Sequence, residues 1–138
     1  MTLLSSKGTY GLLAMYELAK EYQFDKPVKI KEIAERAAIP QNYLEQLLNT
    51  LKKDGFVKSV RGAYGGYMLS TDPSDIRVLD ILKTLEGELK ISETATQNPV
   101  LDLFFREVGE RMEEMFDISL GDFRLYEQKL SNQLCYSI

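Results

Sequence analysis

Histidine does not occur in this chain of 138 residues, and cysteine occurs once, at Cys135. Without histidine there is no Ser–His or Cys–His pair to activate a nucleophile, and the Cys/His sets that hold zinc cannot be assembled. A single cysteine cannot close an intramolecular disulfide. Cys135 reads as a passive thiol near a chain end, with a redox or intermolecular role as the alternative. Apolar runs of the roughly 18 residues needed to span a membrane are also missing. The opening stretch, MTLLSSKGTYGLLAMYELAKEY, has Lys7 as its only early cation and sets Glu17 and Glu21 inside its apolar part, unlike a secretory signal, so the expected compartment is the cytoplasm. Carboxylates are plentiful, but Glu110, Glu113 and Glu114 fall on what reads as a solvated helix face. No catalytic residue, metal or other cofactor is expected, and the chain does not read as an enzyme.

Apolar residues make up 44% and charged residues 28%, the composition of a globular chain able to bury a core. The net charge of −4 argues at first against a nucleic-acid partner. Its distribution argues the other way. Residues 1–70 hold ten Lys/Arg and seven Asp/Glu, whereas residues 71–138 hold seven and fourteen. A basic working end and an acidic end of different purpose follow.

Hydrophobic periodicity predicts a helix over 6–22, with Gly11, Ala14, Met15, Leu18 and Tyr22 on one stripe and Ser5 or Ser6 as its N-cap. DKPV at 25–28 breaks it, and 28–30 has room for a very short strand. A second helix over 31–38 is stopped by Pro40, and a third over 40–54 ends at Gly55. The joint between them is about three residues, the tight link of a helix-turn-helix. Leu44, Leu47, Leu48 and Leu51 face inward from the third helix, while Asn42, Gln46, Asn49 and Lys53 share the opposite face. Two β-prone runs, 56–60 and 67–70, flank the loop RGAYGG and predict a hairpin wing. The loop TDPSD follows at 71–75, then a fourth helix over 77–86 and a polar loop over 88–98. A long helix over 99–117 and a short one over 119–130 complete the chain. The fold class is mainly α with a small β-hairpin: a winged helix-turn-helix domain over 1–87, then a loop, a long dimerisation helix and a C-terminal helix over 88–138.

Three features point to DNA. Gln41, Asn42, Tyr43 and Gln46 lie at the N-terminal end of the third helix, where a recognition helix meets base edges, and Asn and Gln can pair a donor and an acceptor with adenine. Arg61 at the wing tip suits a minor groove, where negative potential attracts a guanidinium. Lys7, Lys52, Lys53 and Lys58 are candidates for phosphate neutralisation. The loop RGAYGG neither opens a helix nor precedes Gly-Lys-Ser/Thr, against a nucleotide-phosphate cradle. Along the long helix, Leu101, Phe104, Phe105, Val108, Met112, Met115 and Phe116 exceed what one small domain can cover, and a second copy of the chain is the expected partner.

The strings SSKGTYGLLAMYELA, IKEIAERAAIPQNYLEQLL, LKKDGFVKSVRGAYGGYML and VLDILKTLEG together resemble the bacterial winged-helix regulators of the family that includes IscR, NsrR and CymR, over roughly residues 3–87. The resemblance implies a homodimer that binds a pseudo-palindromic promoter site, mostly as a repressor. It implies base reading through Pro40, Asn42, Tyr43 and Gln46, tuning of the accepted site through Glu45, and minor-groove entry by Arg61. It also places Ser6, Lys7, Gly8 and Tyr10 near phosphates. Tyr64 of the wing joins this DNA-binding set. Members that sense iron–sulfur clusters carry three cysteines between the fourth and the long helix, and residues 86–110 have none. The chain therefore looks like the cluster-free, CymR-like type, which is controlled through a protein co-regulator, and a small-molecule effector is the alternative. Lys29 stands where a helix-capping serine is common. Two other functions remain open: a winged helix that binds protein through its acidic half, and a thiol sensor acting through Cys135.

Overall fold

In the computed structural model, which describes residues 2–136, Ser5 caps the first helix by accepting a hydrogen bond from the Lys7 amide at 3.2 Å. Helix α1 (Ser6–Tyr22) buries Ala14, Met15 and Leu18. Helix α2 (Ile30–Ala37) starts at Lys29, whose side chain makes no capping bond. It ends at Ala38, which adopts the left-handed conformation (φ 54°, ψ 45°), so the helix stops two residues ahead of Pro40 rather than against it. Pro40 is the N-cap of α3 (Gln41–Lys53) and does not lie in its first turn. Residues 38–40 form the three-residue joint that the spacing predicts, and buried Ile39 pins it to the core. Gly55 takes φ +83° just past α3, as a helix-terminating glycine does.

Strands β1 (Val57–Val60) and β2 (Gly66–Leu69) pair antiparallel, with Val57 opposite Leu69 and Val60 opposite Gly66. The expected strand at 28–30 is a single bridge. Val28 exchanges two 2.8 Å backbone hydrogen bonds with Tyr67, and Ile30 already belongs to α2. That bridge fastens the hairpin to the connection between α1 and α2.

Helix α4 (Val78–Glu86) lays Val78, Leu79, Ile81, Leu82 and Leu85 into the core. With the hairpin, α1 to α4 enclose Met15, Leu18, Ile33, Leu44, Leu48, Leu51, Leu69 and Ile81. After the 88–98 loop, Asn98 caps α5 (Pro99–Phe116) by accepting from the amides of Val100 (2.9 Å) and Leu101 (3.2 Å). No residue of α5 is buried.

The chain then returns to the first four helices. The Val78 amide donates to the Ile118 carbonyl and the Leu120 amide to the Ile76 carbonyl, both at 2.8 Å, and Leu120 is buried. A reciprocal capping box between Ser119 and Asp122 opens the last segment. Helix α6 (Phe123–Tyr136) runs six residues past the end expected at 130, because neither glycine nor proline follows Gly121 to stop it. Its start is fixed to α1: Phe123 packs edge-on against Tyr16 at 5.7 Å, and the Tyr16 hydroxyl donates to Glu127.

Candidate nucleic-acid interface

Three elements carry the residues expected to meet DNA: the first turns of α1, helix α3 with Pro40 at its head, and the β1–β2 hairpin. Inward-facing Leu44, Leu47, Leu48 and Leu51 fix the rotation of α3 about its axis, so Gln41, Asn42, Glu45 and Gln46 point to solvent. Tyr43 is half-buried. Its ring meets that of half-buried Tyr10 edge-on, 6.0 Å between centroids. This contact joins the N-terminal ends of α1 and α3, near exposed Ser6 and Lys7. Pro40 is exposed at the head of that helix.

The wing is joined to the other end of α3. Lys52 donates to the Ser59 hydroxyl at 2.7 Å, bridging the last turn of the helix to β1. Lys52 is thereby engaged within the protein, with two ammonium donors left for a phosphate. Lys53, Lys58, Arg61 and Tyr64 are all exposed, Tyr64 at 93%. In the loop, Gly65 passes so close to the backbone that a Cβ would lie 2.1 Å from the Val60 carbonyl oxygen, and Gly62 takes φ +111°. Both positions need glycine for the loop to double back tightly.

Among the described residues, the side chains of Lys7, Asn42, Gln46, Lys53, Lys58 and Arg61 make no hydrogen bond or ion pair within the chain. Arg36 pairs with Glu21 and Glu32, Arg77 with Asp117, and Lys20 with Glu17, whereas Lys26, Lys29, Lys31, Arg106 and Arg111 are as unpaired as the cations of these elements. Free cations and free amides on one exposed set of elements suit an external polyanion with readable base edges. Sequence pattern located these residues but not what orients them. The Tyr10–Tyr43 and Lys52–Ser59 contacts are tertiary, and nothing in the spacing of either residue signals its partner.

The second candidate set lies on α5. Leu101 (47% exposed), Phe104 (57%) and Met115 (80%) stand in solvent, while Phe105, Val108, Met112 and Phe116 are half-buried. Leu103 and, on α6, Leu125, Tyr126, Leu130 and Leu134 are exposed as well.

The Rrf2 family model, described as an iron-dependent transcriptional regulator, matches residues 4–123. The chain is 38% identical to the HTH-type transcriptional regulator CymR of Bacillus subtilis over 125 residues, 89% of this chain and 90% of that protein. It is 46% identical to the regulator IscR of Photorhabdus laumondii over 79 residues, and it spans about half the length of such IscR relatives. Among solved structures, T. potens IscR superposes with a TM-score of 0.79 at 41% identity, covering 92% of this chain and 89% of that one. The global cysteine regulator CymR of B. subtilis does so at 0.81 and 37%, covering 91% and 98%.

An iron or iron–sulfur site needs a cluster of Cys, His or carboxylate ligands. Among the described residues no group of three or more His, Cys, Asp or Glu side chains could hold a metal ion. The loop between α4 and α5 offers only Glu88 and Glu93, and Cys135 is exposed on α6. These residues do not fit an iron or iron–sulfur site.

Proposed function

The chain belongs to the Rrf2 family of transcriptional regulators, and from that premise we propose that it is a homodimeric, sequence-specific repressor that works without an iron–sulfur cluster. Family membership carries DNA binding and transcription regulation. The observation that carries the specific reading is the set of unpaired polar and cationic side chains on α1, α3 and the wing, oriented by the Tyr10–Tyr43 and Lys52–Ser59 contacts. In this reading α3 lies in the major groove. Asn42 and Gln46 read base edges there with Pro40, Gln41 and Tyr43, and Glu45 tunes the accepted site. Arg61 enters the minor groove with Tyr64 beside it, and Ser6, Lys7, Tyr10, Lys53 and Lys58 hold the backbone.

The exposed apolar face of α5 supports a second copy as partner: Leu101, Phe104, Phe105, Val108, Met112, Met115 and Phe116 would pack across the dimer axis. Two reading heads would then meet half-sites about 34 Å apart. With no ligand set for a cluster, control passes to a protein co-regulator or a small-molecule effector, in the CymR-like manner, and the working compartment is the cytoplasm.

The test is mobility-shift titration on DNA from the gene's own promoter region at several salt concentrations. Binding should weaken steeply with salt, and Arg61→Ala should reduce affinity by about 1–3 kcal/mol. Binding that ignores salt, or an Arg61→Ala variant that binds like the parent, contradicts this use of the surface.

A further inference from the structure

Helix α1 has no acidic residue in its first turn, yet that turn is capped by a carboxylate. The carboxylate belongs to Glu86, the last residue of α4. Its Oε1 accepts three hydrogen bonds: from the Ser5 amide at 2.9 Å, the Ser5 hydroxyl at 2.6 Å and the Gly8 amide at 2.8 Å. Ser5 Oγ in turn accepts from the Lys7 amide at 3.2 Å. In an ordinary capping box the acid sits three residues after the cap. Here that position is Gly8, and the acid arrives from 78 residues further along the chain. The glycine makes the exchange feasible, since a Cβ on Gly8 would lie 2.5 Å from Glu86 Oε1. One turn on, a Cβ on Gly11 would lie 2.1 Å from Leu85 Cδ1. The end of α4 is thus seated on the first two turns of α1 through two glycines and one carboxylate.

We propose that Glu86 is a positioning residue for DNA binding, holding the turn that carries Ser6 and Lys7 against the phosphate backbone. The proposal rests on the DNA-binding reading above. Charge alone predicts the opposite sign. Removing an anion from a DNA-facing end weakens repulsion of the polyanion and tightens binding. Positioning predicts weaker binding, because loss of three charge-assisted bonds frees the turn and the Lys7 contact with it. Glu86 also stands immediately before Gly87 and the 88–98 loop, so the latch lies at the junction between that loop and the DNA-contacting turn.

The experiment measures affinity and its salt dependence for duplex DNA recovered by selection from genomic fragments. The parent is compared with Glu86→Ala, Glu86→Gln, Lys7→Ala and the Glu86→Ala/Lys7→Ala pair, with thermal unfolding as a check on folding. Glu86→Ala should bind roughly tenfold more weakly. Its salt slope should be shallower by about one counterion, as in Lys7→Ala. Glu86→Gln, which keeps a neutral acceptor, should lie between parent and Ala, and it carries the comparison if the alanine variant does not fold. Lys7→Ala should cost little once Glu86 is gone. Unchanged or tighter binding by the Glu86 variants, or a full Lys7→Ala penalty in the pair, overturns the proposal while leaving the DNA-binding reading intact. A parent that selects no DNA removes that reading, and the proposal with it.

Discussion

Tyr16 shows how a single side chain joins the two ends of the sequence. Its hydroxyl donates to Glu127 of α6, its ring meets Phe123, and Lys20 lies over the ring at 4.7 Å. The hydrogen bond to Glu127, reinforced by partial burial, pushes the phenol from its usual 10.0 up to about 12. A pKa raised on folding means that the native state holds the proton more tightly than the unfolded chain does. The stability gained is fully present below about pH 10 and is lost as pH rises towards 12. Tyr16→Phe should therefore flatten the fall in unfolding free energy across that alkaline window, read by denaturant unfolding at a series of pH values. An unchanged pH profile in the variant contradicts the Tyr16–Glu127 bond. At the helix-turn-helix joint, Ala38 carries local backbone strain. A non-glycine residue in the left-handed region costs about 1–2 kcal/mol, borne here by Ile39, which is buried, and by the packing of α2 on α3.

Among the elements, the helices were legible because each has a one-sided apolar stripe of helical period, and the hairpin because β-prone runs flank a glycine-rich loop. Boundaries fell within a residue or two for α1 to α5. The exception is α6, which continues past 130 for want of a breaker. At the end of α2 the left-handed Ala38 has no sequence signature. What the sequence hid is tertiary: the return of 117–122 to the edge of α4, the Val28–Tyr67 bridge and the Glu86 cap. For the candidate site, pattern found the exposed residues, while the contacts that aim them lie between residues 7 to 81 apart in sequence. Helix α5 makes its own prediction. It has no buried residue, and its exposed apolar face is the proposed dimer surface. Placing a charge there, as in Phe104→Asp or Leu101→Asp, should shift sedimentation from dimer to monomer and lower DNA affinity at least tenfold, since two half-sites no longer bind as one unit. A dimer that survives both substitutions places the interface elsewhere.

Over the whole molecule, charge is divided as function would need. The half with α1, α2, α3 and the wing carries a cationic excess of three, whereas the half from 71 onward carries an anionic excess of seven. An acidic protein can bind DNA when its cations gather on the reading elements and its anions lie elsewhere, because steering depends on local potential rather than on net charge. The same division explains why a sum of −4 misleads when taken alone. Whether a dimer reads a specific two-fold site is decided by incubating the protein with fragmented genomic DNA under excess nonspecific competitor and sequencing what it retains. The expected result is strong enrichment of a small number of promoter fragments that share an inverted repeat with half-sites one helical turn apart. Retention of DNA without any enriched sequence, or of none, would contradict it.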